Sequence, residues 1–184
     1  HIHANDQMQI ITAKAVSRDP DHPITLSLQA KDAAYQWRWA EAQKYWRKAL
    51  EADPTDPDNL GTAAMVSIGA GDYMRAEQIL ESGIRSNPRH DWPLYGRMLL
   101  NIARSDQMDS ISTGDLIISM GGNRAFPAAV HLATYFAVIG QPEAVSRYGT
   151  TINSMTGATL DPYIQSLVDF ANGQDISSEY ISEI

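Results

Sequence analysis

The 184-residue sequence contains no cysteine, which excludes a disulfide framework, a thiolate metal site and a cysteine nucleophile. Basic residues are scarce: 14 Lys and Arg face 22 Asp and Glu, for a formal charge of −8. Nucleic-acid binding depends on cations neutralising phosphates, so this balance argues against such a partner. No apolar run is long enough to span a bilayer, and the longest, Ala128 to Gly140, is interrupted by His131 and Thr134. The charged-then-apolar opening of a signal peptide is also missing. The chain begins at His1 rather than Met, which reads as a mature or excised piece, with room for further domains upstream of His1.

Recognisable chemistry is lacking as well. Gly69-Ala70-Gly71 has neither the Lys-Ser/Thr of a phosphate loop nor a preceding strand, and reads as a turn. Asp53, Asp56 and Asp58 miss the alternation of a calcium loop, because Thr55 and Pro57 hold the alternate positions; helix capping explains them. There is no His-Glu-x-x-His and no nucleophile elbow. His131, next to Leu132, is expected on the inward face of a helix as an interior histidine. His1-Ile2-His3 has the donors for copper or nickel if His1 is the true terminus, but a processed end is the simpler reading. The expectation is therefore no enzyme, no cofactor and no metal.

What the sequence does contain is a period. Asp19-Pro20, Asp53-Pro54 and Asn87-Pro88 are evenly spaced, with a 34-residue period, and proline after Asp or Asn stops a helix because the ring removes a donor and clashes with the preceding turn. The stretch from Trp39 to Pro54 recurs from Tyr73 to Pro88: an aromatic first, Ala42 or Ala76 three residues on, Trp46 or Leu80 four further. Ala42, Tyr45/Trp46, Ala49 and Leu50 have the spacing of an amphipathic helix. The short connections then require antiparallel helix pairs. A fixed period of this length is the mark of a stacked helical repeat. Ala42 and Ala76 are expected where helix backbones come closest, with Trp46 and Leu80 filling the space between hairpins.

On these residues the chain resembles the tetratricopeptide repeat, a 34-residue helix-turn-helix unit. Leu60, Ala63-Ala64, Ser67, Gly71-Asp72-Tyr73, Ala76, Leu80 and Pro88 stand at its signature positions, with Ser67 departing from the usual tyrosine. The likeness is good over about 24–88 and only periodic afterwards, where Ser110 and Gly114 replace Ala76 and Leu80. The segment Trp37 to Ala42 is also similar to repeats that follow a winged-helix domain in some bacterial regulators.

The resemblance implies an all-α, right-handed superhelical array of antiparallel helix hairpins. It forms a single domain over 1–173, with a partial unit at 1–20, hairpins near 24–54, 57–88, 91–122 and 125–156, a capping helix at 161–172 and a polar tail at 174–184. It further implies a non-enzymatic adaptor whose concave groove, lined by first helices, binds a peptide or protein segment. The groove-facing positions become Lys31, Tyr35, Met65, Ile68, Tyr95 and Leu99, joined by Ser27, Gly61 and Ile102. The alternative role is the sensory domain of a transcription regulator.

Overall fold

The computed structural model describes residues 4–157 and 161–174; the His1-Ile2-His3 motif and nearly all of the polar tail lie outside them. Among the described residues the chain is ten α-helices with no strand. They are α1 (Ala4–Arg18), α2 (Pro23–Tyr35), α3 (Trp39–Ala52), α4 (Pro57–Gly69), α5 (Tyr73–Ser86), α6 (Asp91–Ala103), α7 (Gln107–Met120), α8 (Ala125–Val138), α9 (Pro142–Thr156) and α10 (Asp161–Ala171).

The period is built into the element starts. Helices α2, α4, α6 and α8 begin at residues 23, 57, 91 and 125, and α3, α5 and α7 at 39, 73 and 107. Several of these starts have a local cause. Pro57 takes the first position of α4, where its missing N–H costs nothing, while the Asp56 carboxylate accepts from the Asn59 N–H at 2.7 Å. Asp72 and Asp106 do the same for α5 and α7, accepting from Arg75 and Asp109. Asp53 turns its carboxylate onto the Thr55 and Asp56 N–H groups, so these aspartates are caps. Before α3, which opens on Trp39, the turn is held by the Arg38 N–H donating to Ala33 O.

That turn recurs. The second residue beyond α2, α4, α6, α8 and α10 is left-handed in every case, at Trp37, Gly71, Ser105, Gly140 and Gly173, with φ between 59° and 79°. After four of these five helices, the next N–H reaches back to the carbonyl five residues earlier at 2.9 Å: Arg38 to Ala33, Asp72 to Ser67, Gln141 to Phe136, Gln174 to Asp169. This closes the helix end and reverses the chain. Glycine takes the conformation without strain; Trp37 and Ser105 do not.

The helices group into two compact units, His1–Arg104 and Ser105–Ile184, and the division falls within the hairpin span predicted at 91–122. In the first unit α2, α4 and α6 pack side by side as one layer, and α1, α3 and α5 interleave with them as a second. Ala42, Ala49, Ala63, Ala64 and Ala76 are fully buried where backbones approach, and Trp46 and Leu80 fill the space between successive pairs. Burial of each of those two side chains contributes about 1.5–3 kcal/mol. Ser67, where the family carries tyrosine, is buried and donates to Ala63 O at 2.9 Å, so the smaller residue leaves no orphaned hydroxyl.

In the second unit α7 packs on α8, α8 on α9, and α10 on both α8 and α9. Ser110 and Gly114, the two departures from the repeat, are buried on the inward face of α7. Both are small enough to allow close helix approach. His131 corrects the sequence reading: it is exposed on α8, its Nδ1 2.8 Å from Pro127 O, because Ala128, Leu132 and Phe136 occupy the buried stripe.

Candidate peptide-binding face

Helices α2, α4 and α6 each bury one stripe toward α3 and α5, and in α4 that stripe is Leu60, Ala63, Ala64 and Ser67. The residues singled out from the sequence belong to a different stripe. Lys31, Met65 and Leu99 are related by the repeat, standing at one helical position of three neighbouring helices, and all are half-buried. Ile68 and Ile102 repeat the arrangement one turn further and are half-buried too. Tyr35, at the end of α2, is 63% exposed.

The third row lies deeper. Ser27, Gly61 and Tyr95 are all buried, and Tyr95 retains only 4% exposure. Their position follows from Trp92, on the first turn of α6, whose indole lies across α4. A Cβ on Gly61 would come within 2.3 Å of the ring, so α4 needs glycine there. The indole Nε1 donates to Asp58 O at 2.9 Å, and the Thr62 hydroxyl donates to the same carbonyl at 2.8 Å. Tyr95 stacks on Trp92 with centroids 5.6 Å apart and planes 15° from parallel. Lys31 extends from α2 to place its ammonium over the Trp92 ring, 5.5 Å from the centroid. The sequence reading missed Trp92; its place one full repeat after Asp58, at a helix start, was the available signal.

Between α5 and α6 the charges are matched. Glu77 on α5 accepts from Arg104 at 2.8 Å and from Arg97 at 3.4 Å. The hydrogen bond from Arg104 holds the Glu77 carboxyl below its ordinary value of 4.5, more than burial raises it. Among the described residues no three His, Cys, Asp or Glu side chains gather as metal ligands, and no helix is long and apolar enough to cross a membrane.

These features define a helical-repeat protein with a half-exposed apolar ladder on one layer of its first unit. Residues 28–102, which contain the whole ladder, match the family model described as the tetratricopeptide repeat. Over those residues the chain carries tetratricopeptide repeats, and repeats of this kind support a protein–protein interaction module. No curated protein matches the sequence. Among solved structures the chain is similar to a thermophilic TPR protein from Thermus thermophilus, with 13% identity, TM-score 0.74 and coverage of 89% of this chain and 88% of that one. It is also similar to PilW, a type IV pilus biogenesis factor, with 15% identity, TM-score 0.70 and coverage of 97% and 84%. A tetratricopeptide repeat protein from Parabacteroides merdae ATCC 43184 matches with 16% identity, TM-score 0.62 and coverage of 96% and 76%. At these identities the likeness establishes the fold.

Proposed function

We propose that the α2–α4–α6 face binds an apolar segment of another protein. Lys31, Tyr35, Met65, Ile68, Tyr95 and Leu99 form the site, and no catalysis is involved. The observation that carries this reading is the ladder: Met65 and Leu99, and beside them Ile68 and Ile102, repeat at identical helical positions yet stay half-exposed. Apolar side chains left open in a row on adjoining helices supply evenly spaced anchor points for an extended or helical peptide. Tyr95 and Trp92 serve as the rigid floor beneath those anchors, and Lys31 is held at the α2 end by the Trp92 ring.

The test is a random-peptide library selected on the wild-type protein, with the enriched peptides then titrated against variants. Met65→Glu and Leu99→Glu should each weaken binding at least tenfold, as loss of an interface anchor does. Met74→Glu, on α5 away from the ladder, should leave it unchanged. Peptides that bind Met65→Glu and Leu99→Glu as tightly as wild type remove this face from the function.

A further inference from the structure

The buried stripe of α1 is chemically unlike that of the helices it repeats. Thr12 precedes Trp46 by one repeat and takes the same position between hairpins. On the facing helix, Gln29 and Asp32 of α2 precede Ala63 and Val66 of α4 by the same interval. Trp46, Ala63 and Val66 belong to one buried apolar cluster. Their counterparts Thr12, Gln29 and Asp32 are polar, on two helices that pack together. Thr12 Oγ1, Gln29 Oε1 and Asp32 Oδ1 are each buried and find no hydrogen-bond partner among the described residues. Trp46 Nε1 is the one other such atom there, so these orphaned groups concentrate on α1 and α2. Thr12 itself is only 6% exposed.

The outer side of α1 is reversed in the same sense. Ile10 and Ile11 are 46% and 53% exposed, while the threonine between α1 and α2 is enclosed. Ile11 and Ala15 line an open depression of about 270 Å³ with Lys14 and Arg18. A helix that buries polar atoms without partners and exposes isoleucines gains little from its docked position, since each orphaned polar atom carries a desolvation cost and each exposed isoleucine forgoes its burial. Segments with few apolar contacts open locally at lower free energy than the core.

We propose that α1 is a displaceable helix: it leaves α2 while α2–α6 remain folded, and so uncovers Thr12 together with Gln29 and Asp32 on the polar face of α2. The inference is independent of the peptide ladder, which lies on the Lys31–Met65–Leu99 stripe. Fraying of a helix end would produce some exchange by itself, but only polar enclosure makes the opening depend on the residues at 12, 29 and 32.

Amide hydrogen exchange read by mass spectrometry on the full chain tests this. Peptides from α1 should exchange about a hundredfold faster than those from α3 and α5. That ratio corresponds to roughly three orphaned polar groups at the lower end of their usual cost. The variant T12L/Q29A/D32V, which brings the chemistry of the next interface to this one, should slow α1 exchange at least tenfold without altering α3 or α5. The double variant T12L/Q29A keeps Asp32 and its 3.7 Å approach to Arg38, and should give part of the same slowing. Protection of α1 equal to that of α3 in the wild type overturns the proposal. So does fast α1 exchange that neither variant slows, because simple end fraying would then account for it.

Discussion

The first unit, up to Arg104, and the second, from Ser105, fill the same repeat position by different means. Trp46 and Leu80 in the first are buried in an apolar cluster, and the Trp46 ring has Arg47 and Arg75 at 5.7 Å on its surface. In the second unit the corresponding residues are Gly114 and Tyr148. Tyr148 is buried, stacks on Phe136 with planes 4° apart, and donates its hydroxyl to Asp115 at 3.0 Å. Arg147 donates to the other Asp115 oxygen at 2.6 Å. The second unit has just two Arg and no Lys against nine Asp and Glu, and Arg147 is the one that pairs with that carboxylate among the described contacts. A repeat frame therefore specifies a buried position and leaves open what occupies it: an apolar side chain, a glycine that lets helices approach, or a hydrogen-bonded polar side chain.

Loss of the apolar filler should have the largest effect. Trp46→Ala leaves a cavity among fully buried neighbours and is expected to cost about 3–5 kcal/mol in urea denaturation. A cost under about 1 kcal/mol would mean that the first unit is not organised around its tryptophan.

The polar counterpart should be worth less and should depend on pH. Tyr148→Phe keeps the ring and removes the hydroxyl from Asp115, for an expected loss of about 1–2 kcal/mol at neutral pH. Burial, reinforced by the Asp115 charge and hydrogen bond, raises the Tyr148 pKa well above its ordinary 10.0. Above pH 10 the unfolded chain releases this proton while the folded chain keeps it, so the stability contributed by Tyr148 is complete below pH 10 and declines as pH rises further. Wild type should thus lose its advantage over Tyr148→Phe at alkaline pH. A stability difference that stays constant from pH 7 to pH 11 would contradict the polar tie.

The smallest effect concerns the left-handed turns. Ser105→Gly relieves a backbone conformation that costs an L-residue about 1–2 kcal/mol, against about 0.5–1 kcal/mol of added chain entropy, for a modest net gain. Trp37→Gly at the equivalent turn should gain less, because it also removes the edge-on contact with Trp39 at 5.6 Å. Differential scanning calorimetry should rank Ser105→Gly above Trp37→Gly; the reverse order would show that the Trp37–Trp39 contact contributes nothing.

Much of this fold is legible residue by residue. Asp53 and Asn87 cap the ends of α3 and α5 where the Asp/Asn-Pro pairs place them, and the alanines at 42 and 76 are buried at the close approaches the pattern assigns. These features depend on neighbours a few positions away or one repeat away, and periodicity reports both. His131 was misjudged because α8 has apolar residues almost all round, and the stripe that faces inward is decided by α7 and α9. Of the face residues, Met65, Ile68 and Leu99 are half-open, while Tyr95 is enclosed by a tryptophan that no short-range pattern marked.

The sequence by itself determined that the chain would be paired helices at a 34-residue period, because capping, proline stops and alanine spacing act locally and recur. Only the tertiary structure decided that Trp92 would lie over Gly61, that Tyr148 would meet Asp115, and that Thr12 would be enclosed opposite a polar stretch of α2. Those outcomes depend on which side chains from different helices reach the same volume, and helical spacing along a single segment carries no record of that.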